Sequence, residues 1–269
     1  MMKSYGIRES TDASSEVELH AESIRVSGYT VLRQLASGEA LVRLREALDR
    51  TYETQAAEVG GVERLRSIGD ADVARCLLAY DPLFLTIAIE PRVLALAERL
   101  MGDYFLLQQQ NGIINRPIGD NYQSAWHRDL PYQHFVASRP ISLSVLWCVD
   151  DFNESTGGTW VLPASHKTEP FPSAAYVAAH ETPIVAKAGD ALAFDSMLFH
   201  RAGHNRSPNV RRGLNHVYCL PFLKQQISLP RALGRAPDDP FLRRFLGYES
   251  EPGDSALEWR TRRLSKLPA

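Results

Sequence analysis

Between positions 104 and 220 the chain breaks into short apolar runs closed by turn-forming residues. This pattern limits its fold more than any other feature. Strand candidates fall at 104–115, 123–129, 142–149, 159–162, 183–187, 191–194 and 212–220. Seven or eight short strands in series bury their apolar sides only in a closed barrel or in two facing sheets. Upstream the period changes. A strand is read over 24–35, around Tyr29 and Val31, followed by Ser37 as a helix N-cap. Leu41, Leu44, Leu48 and Tyr52 then recur at helical spacing and form a stripe that packs against the sheets. Asp81-Pro82 and Glu90-Pro91 read as helix starts with proline in the first turn. Leu94, Ala97, Leu100 and Met101 form an apolar face that ends at Gly102. The fold class read from these runs is mainly β, with N-terminal helices over 37–101 buttressing one sheet.

At 269 residues the chain is one large domain with a substantial core. Residues 1–20 are polar and expected to be flexible. Residues 21–225 form the domain. Residues 226–269, with seven arginines from Arg231 to Arg263, form a helical and loop extension packed on it. A net charge of −2 provides no overall attraction to nucleic acid or to an anionic membrane. No apolar run approaches the length of a membrane span, and the first residues lack the apolar core of a signal peptide. Cys76, Cys148 and Cys219 are odd in number and widely spaced, which argues against a disulfide framework. The expected location is the cytoplasm, and the expected state is a monomer or homodimer.

The chemistry is concentrated in His127-Arg128-Asp129 and, 73 residues later, His200. If 123–129 is a strand, residues i and i+2 share a face, so His127 and Asp129 project together. Pro131 then limits its continuation. His200 follows the run Gly189–Phe199 and lies just after a short buried strand. Two imidazoles and one carboxylate cap one face of an octahedral ion and leave three adjacent positions open. This is the usual ligand set of non-haem Fe(II) oxygenases. His204 competes with His200 as the distal ligand, and direct succession to the strand favours His200. Arg211 opens the next strand, where its planar fork suits a dicarboxylate. Arg212 competes with it, but alternation lets only one of the two face the pocket.

His127-x-Asp129, Gly157-Gly-Thr-Trp-Val-Leu-Pro-Ala-Ser-His166, His200-x-x-Gly203-x-Asn205 and Arg211 together resemble the phytanoyl-CoA dioxygenase family, which includes the ectoine hydroxylases. The resemblance covers most of residues 20–225. It implies a double-stranded β-helix, a cupin-like jelly roll, with the metal in its mouth. It implies Fe(II) held by His127, Asp129 and His200, with 2-oxoglutarate as cosubstrate and O2 as oxidant. Arg211, eleven residues after His200, would hold the distal carboxylate. Gln110, seventeen residues before His127, matches a cosubstrate-binding glutamine of the ectoine hydroxylases. Related halogenases have a small residue in place of Asp129, so the carboxylate favours hydroxylation. One position departs from the pattern. Many relatives carry serine two residues after the distal histidine, where it helps to hold the distal carboxylate. Here that position is Ala202.

The remaining candidates surround this set. Trp160 is either pocket lining or core, and is counted among the cosubstrate contacts. Gln108 and Gln110 share a face in a polar run, and both are candidate pocket residues. His134, His204 and Arg116 are candidate substrate contacts. His166 is read as a structural turn residue, and His216 faces either side. Gln133, His134, Arg128 and Asn111 near the expected mouth point to a small polar substrate. The expected activity is hydroxylation of an unactivated C–H bond in a biosynthetic or tailoring substrate, with release of succinate and CO2. Desaturation, epimerisation and ring formation are alternatives. A cosubstrate-free cupin-type isomerase or lyase needs no buried Arg211. A non-catalytic jelly-roll binding module needs no intact ligand set.

Overall fold

The computed structural model describes residues 13–117, 122–130 and 132–264. Residues 1–12 of the expected flexible terminus, Pro131 and the last five residues lie outside the described residues. In chain order the elements are α1 (Glu16–Ser27), β1 (Tyr29–Leu32), α2 (Glu39–Glu58), α3 (Val62–Ser67), β2 (Val73–Arg75), α4 (Leu83–Ala88), α5 (Pro91–Met101), β3 (Leu106–Asn115), β4 (Ser142–Cys148) and β5 (Thr159–Val161). There follow α6 (Ala174–His180), β6 (Thr182–Pro183), β7 (Ala191–Asp195), β8 (His200–Ala202), β9 (Arg211–Cys219), α7 (Leu229–Leu233), α8 (Pro240–Phe245) and α9 (Ala256–Leu264).

Six strands form an antiparallel sheet in the order β1-β7-β4-β9-β3-β2. A smaller antiparallel sheet, β6-β5-β8, faces it. The two sheets make the jelly roll. Strand alternation gives the large sheet two different faces. One face carries Val145, Trp147, Ala191, Ala193, Leu214 and Tyr218 against Leu44 and Leu48 of α2 and Val93, Leu96 and Ala97 of α5. The other carries Leu146, Cys148, Leu192 and Phe194 into the space between the sheets, where they meet Phe152 and Val161. Gly112 permits the helix layer to close on the sheet, because a Cβ there would lie 2.1 Å from a Leu48 methyl. The helical stripe is therefore core, as its spacing indicates.

Four local expectations are corrected. Residues 24–27 are the last turn of α1, not strand. Ser15 caps this helix by accepting from the Glu18 amide, and Gly28 ends it at φ +90. Part of the segment expected to be flexible, Glu16 to His20, is thus helical. Gly38, not Ser37, precedes α2 and gives no side-chain cap. Residues 123–129 are not a strand. Tyr122–Ser124 is a 3-10 turn, and His127 pairs with His200 only as an isolated bridge. His200 follows β7 after a turn out of the large sheet, as expected, and starts a short strand of its own, β8, in the small sheet. The proline starts behave as expected: Asp81 accepts from the Leu83 amide, and Glu90 accepts from the Val93 amide ahead of α5.

Candidate metal centre and cosubstrate pocket

The ligand segments are fixed to each other by backbone. His127 N donates to His200 O, and His200 N donates to His127 O, both at 3.0 Å. Asp129 N donates to Ser196 O at 3.0 Å. This pairing aims the three side chains inward without a continuous strand. One donor atom each from His127, Asp129 and His200 falls within a 4.8 Å cluster, the span of a single ion. The tautomers suit a metal. His127 Nδ1 lies 2.8 Å from Ala125 O, and His200 Nδ1 lies 3.0 Å from Leu198 O. A carbonyl only accepts, so each Nδ1 carries a proton, and in the neutral ring Nε2 is the nitrogen left to face inward with its lone pair. His200 Nε2 is 3.5 Å from Asp129 Oδ1.

Asp129 is braced from the sheet. Ser144 Oγ of β4 donates to its Oδ2 at 2.5 Å, and Asn215 Nδ2 of β9 donates to the same oxygen at 3.2 Å. Ser196 Oγ lies 2.8 Å from Ser144 Oγ and extends the chain of hydroxyls. Burial opposes ionisation of Asp129, but His200 and His127 outweigh it and hold the carboxyl below its usual range. Burial, with the neighbouring His200, pushes His127 down to about 4, so its ring is neutral. Burial also acts to lower His200, but Asp129 beside it prevails and raises it. The donor set is one carboxylate with at least one neutral imidazole, and it fits a divalent ion of the iron type.

Arg211 faces the same pocket, which Ile113, Leu146, Thr159, Phe194, Ala202 and Asn215 also line. Arg211 as a whole is 2% exposed. Nη2 donates to Gly157 O at 2.7 Å, and the plane lies over Phe152 at 4.4 Å. It makes no ion pair among the described residues, and its Nε has no partner. Burial pushes the group down to about 10. A buried cation with donors to spare is a seat for an anion. Two buried asparagines fix this end of the pocket. Asn115 Nδ2 donates to Gly203 O at 3.0 Å, and Asn205 Nδ2 donates to Asn115 O at 2.8 Å. Gly157 leaves room for them, since a Cβ there would lie 2.6 Å from Gly203 O.

The structure places the rival candidates apart. His204 is exposed in the loop after β8, while His200 joins the cluster. Arg212 turns to the other face and pairs with Asp49 and Asp150. Several other expected site residues stand elsewhere. Gln110 is on the helix face of β3, where Nε2 donates to Phe84 O at 2.8 Å. Gln108 sits at a register shift and donates to Lys224 O at 3.0 Å. Trp160 points away from the pocket and stacks on Arg201 at 4.9 Å. Arg116 pairs with Asp72 over the Tyr52 ring. Of the polar residues expected at the mouth, Gln133 and Arg128 bond to each other, and Asn111 lies between Arg75 and Gln226. His134 alone is exposed, beside Tyr132. His166 is a buried turn residue with Nε2 3.3 Å from Arg25 O, and His216 is buried on the helix side.

Sequence reasoning missed Ser144, Asn215 and Thr159. Asn215 had a signal: it lies four residues after Arg211 in a strand and therefore on the same face. Thr159 sits directly across from Ala202 in the β5–β8 register, 3% exposed and on the pocket. A hydroxyl thus stands opposite the position where the family pattern places one.

A family model described as phytanoyl-CoA dioxygenase matches residues 24–213. The chain is 33% identical over 220 residues to an uncharacterized protein of Mycobacterium tuberculosis, covering 80% of each. It is 31% identical over 156 residues to the dioxygenase olcK of Penicillium canescens, covering 53% of this chain and 50% of that one. Among solved structures it superposes on the non-heme alpha ketoglutarate dependent carbocyclase SnoK from nogalamycin biosynthesis with a TM-score of 0.61 at 17% identity, covering 86% of this chain and 95% of that one. The epimerase SnoN, solved with Fe3+, alpha ketoglutarate and nogalamycin RO, gives 0.59 at 18% identity, with coverage of 83% and 92%. At these identities the likeness to the two structures is one of fold.

Proposed function

The chain belongs to the phytanoyl-CoA dioxygenase family of Fe(II)- and 2-oxoglutarate-dependent oxygenases, and from that premise we propose that it hydroxylates an unactivated C–H bond of a small biosynthetic or tailoring substrate. The observation that carries the reading is the convergence of His127, Asp129 and His200 on one point, in the same pocket as a buried arginine that makes no ion pair among the described residues. When bound, Fe(II), 2-oxoglutarate and O2 together supply the oxidising power to break such a bond, with release of succinate and CO2.

The protein's own part is to bind, orient and exclude water. His127 and His200 present Nε2 because backbone carbonyls hold their Nδ1 protons. Asp129 keeps its charge and its orientation through Ser144 and Asn215. Arg211 binds the distal carboxylate of the cosubstrate, and Thr159 provides the neighbouring hydroxyl. Leu146, Phe194 and Ile113 form an apolar wall that keeps water from the reacting face.

A second reading has its own support. The two solved structures of the same fold are described as an epimerase and a carbocyclase. The test is a substrate screen by succinate release, followed by mass analysis of the product. Gain of one oxygen atom supports hydroxylation. Unchanged mass or loss of two hydrogens moves the assignment to epimerisation or to ring formation and desaturation. Metal binding without any 2-oxoglutarate consumption across the screen refutes both.

A further inference from the structure

Arg128 stands between two proposed ligands, yet it points away from them. It is 2% exposed and makes no ion pair among the described residues. Both Nη nitrogens are spent on backbone, while the buried Nε has no partner. Nη1 donates to Gln133 O and to Glu169 O at 3.3 Å. Nη2 donates to Ser165 O at 3.1 Å and to Thr168 O. The guanidinium plane lies 3.9 Å over the Phe199 ring. Gln133 returns the contact, with Oε1 accepting from Arg128 N and Nε2 donating to Arg128 O, both at 3.4 Å.

The groups joined in this way are the ones that carry the centre. Residues 165–169 follow β5. Ser165 Oγ accepts from Phe199 N at 2.9 Å, and Phe199 O accepts from Leu162 N at 2.9 Å. Phe199 immediately precedes His200. Gln133 belongs to the segment after Asp129. One side chain therefore ties the 127–129 segment to the 199–200 segment and to the stretch that leaves the centre. Each bond is charge-assisted, and the stacked ring adds a cation–π contact, which together offset burial of the charge. Only a planar fork reaches carbonyls on both branches. A lysine ammonium would serve one branch.

We infer that Arg128 is a positioning residue that sets the separation of His127 and Asp129 from His200, and so the metal affinity and ligand geometry of the centre. The inference rests on the metal-site reading above. Partners that orient metal ligands typically matter by about 10- to 100-fold in metal affinity. The same loss is expected for Arg128→Lys and Arg128→Met, and a smaller loss in the same direction for Gln133→Ala.

The test is anaerobic calorimetric titration of metal-free protein with Fe(II), well below each variant's melting point. The visible spectrum of the Co(II)-loaded protein is recorded in parallel. Tyr218→Phe is the control for stability alone, because it removes a buried bond to Ala88 O on the opposite face of the sheet. Weakened Fe(II) binding and a shifted Co(II) spectrum in the Arg128 variants, with Tyr218→Phe unchanged in both, support the proposal. Arg128→Lys and Gln133→Ala that bind like the parent with its spectrum overturn it and leave the metal site standing. A parent protein that binds no Fe(II) overturns the metal reading and this inference with it. Should Arg128→Met fail to fold, Gln133→Ala decides between the first two results.

Discussion

Thr159→Val removes one hydroxyl and keeps the shape of a buried side chain. Thr159 is 3% exposed, lines the pocket with Arg211 and lies across from Ala202 in the small sheet. On the proposal that Arg211 binds the distal carboxylate of 2-oxoglutarate, Ala202 withholds the serine hydroxyl of the family pattern, and Thr159 is the hydroxyl that stands opposite it. A hydrogen bond to a charged group contributes about 1.5–3 kcal/mol. At ~1.4 kcal/mol per tenfold, that predicts 2-oxoglutarate affinity lower by about 10- to 150-fold. Fe(II) affinity should not change, since Thr159 is not in the ligand cluster. The assay is anaerobic titration of the Fe(II) protein with 2-oxoglutarate, read by the visible band of the chelate. Ala202→Ser in the Thr159→Val background restores the hydroxyl from the facing strand and should recover most of the loss. Unchanged affinity in Thr159→Val refutes the reasoning. So does a loss that Ala202→Ser leaves untouched, because the cause is then not a hydroxyl at this place.

Two further outcomes test the frame around the site. Gly157→Ala places a Cβ 2.6 Å from Gly203 O at a residue with φ +70, and Gly157 O is the acceptor that holds Arg211. Left-handed strain and overpacking together predict a loss of about 2–5 kcal/mol in urea unfolding, along with weaker 2-oxoglutarate binding; a variant as stable as the parent contradicts the packing described. His216 is fully buried, and burial pushes it down to about 3. Its folded pKa lies below the unfolded value near 6.5, so its contribution is complete above that value and is lost as pH falls towards the folded one. Between pH 6.5 and 5.0 the parent should lose about 1.6 kcal/mol more than His216→Leu in urea unfolding. Equal losses in both proteins rule out a neutral buried ring.

Much of the site is legible in the chain because its signals are local. His127-x-Asp129 needs only a shared direction, and Arg211 against Arg212 needs only strand parity. The expectations failed where a local count was broken. A register shift between Leu107 and Gln109 inserts one residue into β3. Beyond it the faces exchange, and Gln110 turns to Phe84 while Ile113 reaches the pocket. Parity also decides Trp160: in the three-residue β5, Thr159 and Val161 face inward and the tryptophan cannot. The ligand segment reads as a strand because two of its side chains point one way, but its order comes from the long-range bonds to His200 and Ser196. Such bonds leave no periodic trace. For α1 a local trace did exist, in Ser15 opposite Glu18 and in Gly28, and the apolar run around Val31 hid it.

The central claim is that His127, Asp129 and His200 hold Fe(II) while Arg211 holds 2-oxoglutarate. The most direct measurement adds Fe(II) and then 2-oxoglutarate to metal-free protein without oxygen and follows the visible charge-transfer band of the chelate. The account predicts a band in the parent, none in His200→Ala, and in Arg211→Met a band that requires much higher 2-oxoglutarate. Folded parent protein that binds Fe(II) and forms no band contradicts it.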